Sequence, residues 1–201
     1  MKNILFFSFL MLLFSGCQKV PTYQHFIVYY LPVTVPKMES YPFILKIREF
    51  QISEAFRRPE IAYRLNPYEI KYYSYKLWGT RPQTTIPDLI SQHLRKSNLF
   101  SDVVQHFIEK KPTFELSGEI LAIEEFDNGL EKFAHLSMKL NFSSYMEKKI
   151  LIEHFFDRRK KVYQSDVIHI ISSLSEILEE ETTLFISKID DYLGNNHENF
   201  K

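Results

Sequence analysis

Glycine is scarce in this chain, with five in 201 residues, which argues against the glycine-rich loops that cradle phosphates. Catalytic motifs are missing too: the sequence holds no Gly-x-Ser-x-Gly, no Gly-x-Gly-x-x-Gly and no His-Glu-x-x-His. Neither an activated serine on a strand-to-helix elbow, nor a dinucleotide fold, nor a zinc site on a helix is indicated. Net charge is absent, with Lys+Arg and Asp+Glu at 25 each, so no field draws the chain to nucleic acid. What the sequence has in quantity is aromatic surface, 18 Phe and 12 Tyr, within a composition of 45% hydrophobic and 25% charged residues. Those proportions suit one globular domain with an aromatic-rich sheet core.

Cysteine is the scarcest reactive residue, present once, at Cys17. It follows a processing signal: Lys2, an apolar run from Ile4 to Phe14 broken only by Ser8, then the small residues Ser15 and Gly16. The run is shorter than the ~20 residues that cross a bilayer. Small residues directly before a cysteine resemble the bacterial lipobox, with Phe14 where leucine is usual. The resemblance implies cleavage between Gly16 and Cys17 and a covalent diacylglycerol and N-acyl lipid on Cys17, with no other cofactor. An incidental thiol is the alternative, but an exported lone cysteine has no disulfide partner. Gln18, where an aspartate would retain the protein at the inner membrane, implies a periplasm-facing lipoprotein of the outer membrane. Residues 1–16 are thus expected to be a signal peptide, 17–23 a lipidated tether, 24–194 one domain and 195–201 a polar tail.

The most informative stretch runs from Phe56 to Val104. Glu60 to Arg64 reads as a strand entered from the Arg57-Arg58-Pro59 corner, since a proline suits a strand's first residue. Asn66-Pro67 is turn chemistry, and Tyr68 to Leu77, with Tyr72, Tyr73 and Tyr75, reads as the second strand of a hairpin. After Trp78, Gly79 to Pro82 breaks the strand. Thr85, with Asp88 three residues on, is expected to cap a helix whose stripe is Ile86, Leu89, Ile90, His93 and Leu94. Phe100 and Val103-Val104 return to a strand, which suggests a right-handed crossover unit. The Arg-Pro-Glu-Ile-x-Tyr-Arg core from Arg58, the tryptophan ending the next strand, the helix, and the Ser-Asn-Leu-Phe-x-x-Val-Val run from Ser97 together resemble the ABC-type transport auxiliary lipoprotein family. That family includes the lipoprotein of the paraquat-inducible intermembrane transport system. The resemblance implies partners, an ABC transporter subunit or an MCE-type (mammalian-cell-entry) lipid-transport protein, and a ring of copies as the working form.

The remaining chain reads as strands and a final helix. Phe26 to Leu31 is expected to open the fold, followed by a proline-punctuated loop to Pro42. Phe43 to Phe50 alternates Leu45 and Ile47 with Lys46 and Arg48. Phe114, Leu116, Gly118 and Ile120 alternate with polar residues, with Gly118 marking a bulge, and Asp127-Asn128-Gly129 is a turn. Ala134 to Phe142 shows the clearest two-residue period, and a loop centred on Glu147, lacking the family's usual glycine, would set Met138 against Phe156 and Phe142 against Ile152. From Ser165 on, an apolar stripe spaced about 3.5 residues apart reads as one helix or two joined near Glu179 to Glu181, with a stop at Gly194. The fold class expected is therefore α+β, a largely antiparallel sheet with two long helices packed on it.

Candidate site residues are weighed against packing. In the register above His135 and His154 fall on opposite faces, one wet and one packed, and cannot share a metal. Glu124, Glu125 and Asp127 read as a solvated strand end, Glu179 to Glu181 as an exposed helix face, and Arg158 to Lys161 as a solvated loop. Trp78 and about half the tyrosines suit the core. Arg57, Arg58, Tyr72, Tyr73 and Tyr75 form the candidate interface, because Tyr and Arg are enriched at protein contacts. The expected function is non-catalytic docking of a transporter by an oligomeric accessory lipoprotein. The rivals are a stand-alone lipid or small-molecule carrier, which would need an apolar cavity, and a lipid hydrolase, for which the nucleophile motif is missing.

Overall fold

The computed structural model describes residues 21–105, 110–164 and 166–196. The expected signal peptide, Cys17, the expected tether as far as Val20, residues 106–109, Ser165 and the tail from His197 lie outside the described residues. Among the described residues the order is β1 (Gln24–Phe26), β2 (Tyr41–Ile47), β3 (Gln51–Ile52), a 3-10 turn (Glu54–Phe56), β4 (Glu60–Asn66), β5 (Glu69–Trp78), α1 (Pro82–Ser97), β6 (Phe100–Val104), β7 (Phe114–Asp127), β8 (Lys132–Ser144), β9 (Ile150–Val162) and α2 (Val167–Asn196).

β7 is the spine of a single nine-stranded sheet. Along one edge it pairs antiparallel with β8, which pairs antiparallel with β9. Along its other edge it pairs in succession with β2, β3 and β4, all parallel. β6 extends the sheet beyond β2, and β5 then β1 extend it beyond β4. The architecture is α+β in one domain, but the sheet is mixed rather than largely antiparallel. Alternation reveals that a segment is a strand; it carries no information on the direction of its partner. The short turns of β7-β8-β9 are therefore readable, while the parallel run of residues 41–66 beside β7 is not. The crossover expectation fails as well: β5 runs antiparallel to β4 and so to β7, while β6 runs parallel to β2 and so to β7, and the handedness rule holds only for strands that are parallel to each other.

Local chemistry explains most boundaries. α1 begins at Pro82, not Thr85, because a proline at the first helical position gives up only an N–H that would be unpaired anyway. Thr85 then lies inside the helix, and its buried hydroxyl has no partner among the described residues. The expected stripe Ile86, Leu89, Ile90, His93 and Leu94 is buried. Asn98 closes the helix in the left-handed region at φ 53°, a conformation its short polar side chain tolerates. α2 is one helix that runs through Glu179–Glu181 and past Gly194. β1 is shorter than expected and ends at Phe26; residues 27–40 form an extended strap that joins no strand. The irregularity in β7 falls at Leu121, between Ile120 and Ala122, not at Gly118. Gly118 has a packing reason instead, since a Cβ there would collide with the Phe50 ring.

The β8-β9 register is the expected one, with Met138 opposite Phe156 and Phe142 opposite Ile152. The layer between sheet and helices is filled by aromatic rings: Phe114 and Phe142 lie 4.7 Å apart, Phe43 meets Phe114 edge-on at 5.3 Å, and Phe100 lies 6.1 Å from Phe142. Phe185, Leu174 and Ile189 of α2 are fully buried. Trp78 is a core residue at 6% exposure.

Candidate functional site

The bulge at Leu121 decides which β7 side chains reach which face. Before it, the even residues Leu116, Gly118 and Ile120 pair with the even residues of β8; after it, odd residues do, so that Ile123 pairs with Leu136 and Glu125 with Ala134. Glu124 is thereby turned to the outer face, away from the helices, and Glu125 to the helix side. On the outer face one lateral row crosses five strands: Tyr72 opposite Ala62, Ala62 opposite Glu124, Glu124 opposite His135 and His135 opposite Arg159.

This row is held by a chain of charges. Arg64 Nε donates to Glu124 Oε2 at 2.7 Å, Glu124 Oε1 meets His135 Nδ1 at 3.0 Å, and His135 Nε2 meets Asp157 Oδ1 at 2.9 Å. Glu124 and His135 are buried, at 2% and 7% exposure. The expectation of a solvated acidic turn fails here, and so does that of one wet histidine, since His135 and His154 are both buried. An isolated carboxylate is costly to bury, but Glu124 is met by a guanidinium and an imidazole. Both ring nitrogens of His135 are engaged by carboxylates, and the geometry is that of a brace.

Three arginines lie over aromatic rings: Arg58 over Tyr72 at 4.4 Å, Arg159 over Phe126 at 4.6 Å and Arg64 over Phe56 at 5.9 Å. A guanidinium stacked this way is oriented before any partner arrives. Arg58 also donates to both oxygens of Glu60, which holds that carboxyl below its ordinary range, and the Tyr72 hydroxyl donates to the Ala55 carbonyl at 2.9 Å. The outer face thus presents Arg58, Tyr72, Arg64, Phe126 and Arg159 on a braced platform.

The five candidate interface residues are split by the fold. Arg58 and Tyr72 come together, and Arg57 stands beside them, exposed and paired with Glu54 at 2.8 Å. Tyr73 points to the helix side, its ring 4.7 Å from Tyr63 and its hydroxyl donating to Glu125 Oε2 at 2.7 Å. Burial first, and that bond second, push its phenol well above the ordinary value. Tyr75 is exposed beside Tyr23. From sequence Arg64 is read only as the end of the family motif, Arg159 only as part of a basic run and Phe126 not at all, because their partners are remote in the chain and strand neighbours alone bring them together.

The remaining charged clusters are structural. Arg158 to Lys161 lies within β9 rather than in a loop, on a strand whose outer edge has no neighbour among the described residues, where basic side chains discourage edge-to-edge pairing. Arg158 reaches Glu180 and Glu181, and Lys160 reaches Glu176 and Glu180. Glu181 is buried, not exposed: it accepts from Arg158 Nη1 at 2.7 Å and meets His154 Nε2 at 2.9 Å. Lys188 Nζ donates to His154 Nδ1 at 2.8 Å, and the imidazole stacks on Phe185. Burial, then the Lys188 charge, lowers the His154 pKa, which suits a neutral ring donating from Nε2. As expected, the two histidines lie on opposite faces of the β8-β9 hairpin. No cluster among the described residues has the makings of a metal site, and no described helix is long and apolar enough to cross a membrane.

The sequence model of a family described as ABC-type transport auxiliary lipoprotein component matches residues 29–183. Comparison with curated proteins gives no match. Among solved structures, protein XCC0632 from Xanthomonas campestris is similar with a TM-score of 0.74 at 12% identity, over 86% of this chain and 99% of that one. A second crystal structure, of an uncharacterized protein, is similar with a TM-score of 0.63 at 9% identity, over 80% of this chain and 99% of that one. Identities this low speak to the fold alone.

Proposed function

Because the chain belongs to the family of ABC-type transport auxiliary lipoprotein components, we propose that it is a lipid-anchored, periplasm-facing accessory subunit. It holds an MCE-type or ABC lipid transporter in place at the outer membrane and does no chemistry of its own. The observation that carries this reading is the filled layer between sheet and helices. Phe114, Phe142 and Phe185 are packed there at 0% exposure, a filled core at that point, which supports a protein that acts through its surface. The outer face supplies residue types that protein contacts favour, arginine and tyrosine pre-oriented by stacking. A heterologous contact that closes on itself makes a ring, and the Arg57, Arg58 and Tyr72 corner is the proposed contact between copies.

Light scattering on the mature protein tests the assignment. The parent runs above its monomer mass, and Arg58→Glu combined with Arg159→Glu shifts it toward monomer. A protein that stays monomeric at high concentration and co-purifies with extracted lipid would replace this reading with that of a carrier.

A further inference from the structure

Residues 27–35 of the strap run against both helices. Tyr29 N–H donates to Ser175 Oγ of α2, Lys96 Nζ of α1 donates to the Pro32 carbonyl, and the Tyr30 hydroxyl meets His93 Nδ1 at 3.4 Å. Extended backbone sends successive side chains to opposite sides, and here the division is sharp. Val28, Tyr30 and Pro32 are buried against the helices. Ile27, Tyr29, Leu31, Val33 and Val35 point outward, with exposures of 50%, 58%, 69%, 80% and 92%. A continuous apolar row of this kind is unusual on a protein surface facing water. From Val20 to Pro36 the sequence carries no Asp, Glu, Lys or Arg, in a chain where a quarter of all residues are charged.

We infer that this row is a membrane-contact strip, seated in the boundary between headgroups and acyl chains of the leaflet that holds the Cys17 lipid. Chain length favours that occupant over a protein. Only Gln18, Lys19 and Val20 separate Cys17 from Pro21, and at ~3.5 Å per residue the start of the domain lies within roughly 14 Å of the anchor. The strap begins six residues further on, so the row is tied to the bilayer surface whatever else the domain meets. Its chemistry agrees: aliphatic side chains with a tyrosine among them suit the interfacial zone, and with no carboxylate in the segment nothing repels an anionic leaflet. Contact here turns the helical layer toward the membrane and leaves the opposite face of the sheet, with Arg58 and Tyr72, open to the periplasm.

The inference rests on the lipid anchor of the proposed function, and the test separates the two. The intact lipoprotein is reconstituted into vesicles of phosphatidylethanolamine and phosphatidylglycerol. Val33→Cys, or Tyr68→Cys at the distant tip of the β4-β5 turn, adds one thiol at an exposed position for an environment-sensitive dye. Cys17 is the only natural cysteine, so a lipidated chain takes one dye and a chain with a free Cys17 takes two. The expected result is one dye per chain, with the dye at position 33 quenched several-fold more by brominated acyl chains than the dye at position 68, and shielded from aqueous iodide. Two dyes per chain would overturn the anchor and the contact with it. One dye per chain, with position 33 as open to iodide as position 68, would overturn the contact alone. Shielding from both quenchers would also overturn it, by placing a protein on the strap.

Discussion

At Gly118 the ring of Phe50 occupies the place of a side chain, and Phe50 is itself buried at 4% exposure. Gly118→Ala should therefore cost about 1–3 kcal/mol, the usual penalty of overpacking. Phe50→Leu in the same chain should recover part of that loss although it is destabilising alone, a coupling that a double-mutant cycle by urea denaturation reads directly. Additive losses would mean that the ring is not what excludes the methyl group. His154 gives a second test at this scale. Its folded pKa lies below the ordinary histidine value because burial and Lys188 disfavour the charged ring. The unfolded chain therefore binds the proton first as pH falls. The contribution is complete above about pH 6.5 and is lost as pH drops toward the folded value, with a slope of at most about 1.4 kcal/mol per pH unit. His93, also lowered by burial and by Lys96, has the same sign. His154→Gln should thus flatten, without abolishing, the fall in melting temperature between pH 7 and pH 5.

Among elements, the C-terminal part of α2 does more than cover the sheet. Ile189 and Leu193 are fully buried, and Asp190 accepts from Lys37 Nζ at 2.7 Å and from the Tyr41 hydroxyl at 3.0 Å, tying the strap's end and the start of β2 to the helix. A chain ending after Ser187 loses both aliphatic anchors, at about 1.5–3 kcal/mol each, so its unfolding free energy should fall by about 3–6 kcal/mol in urea. A change below about 1 kcal/mol would show that the last turns of α2 are dispensable. What could be read from sequence also sorts by element. The hairpins β4-β5 and β8-β9 were legible because turn residues and alternation lie within one short window, and so was the burial of Trp78 and of the α1 stripe. Three features were not: the direction of residues 41–66 beside β7, the place of the bulge, and the burial of Glu124 and Glu181. Each depends on a partner far away in the chain. Arg58 and Tyr72 were recognisable as interface residue types, but Tyr73 belongs to Glu125, which only the strand order reveals. The hairpin loop without glycine is closed by Lys148 at φ 56°, whose ammonium reaches Glu115 at 3.2 Å.

For the whole molecule, the strap proposed to meet the leaflet packs on the helices, and the Arg58 and Tyr72 surface proposed to meet partners lies on the sheet's other face. Charge reversal at Arg58 and Arg159 should therefore alter assembly while leaving membrane attachment unchanged, with a small fall in melting temperature because the Glu60 pair and two ring contacts are lost. Sedimentation with vesicles and a melting curve check both halves of that expectation. The parallel edge of β7 bears on how the chain comes to be folded at all. Leu45, Gln51 and Ala62 pair with Phe114, Glu119 and Glu124, roughly sixty to seventy positions downstream, and closing loops of that size makes such pairings late. The β7-β8-β9 meander needs only short loops and forms a template on its own. A polypeptide delivered from its N terminus must then wait, with β2, β3 and β4 lacking their β7 partner, until the template arrives. That interval, rather than any stage of the finished fold, is when its apolar strand edges are most open to aggregation.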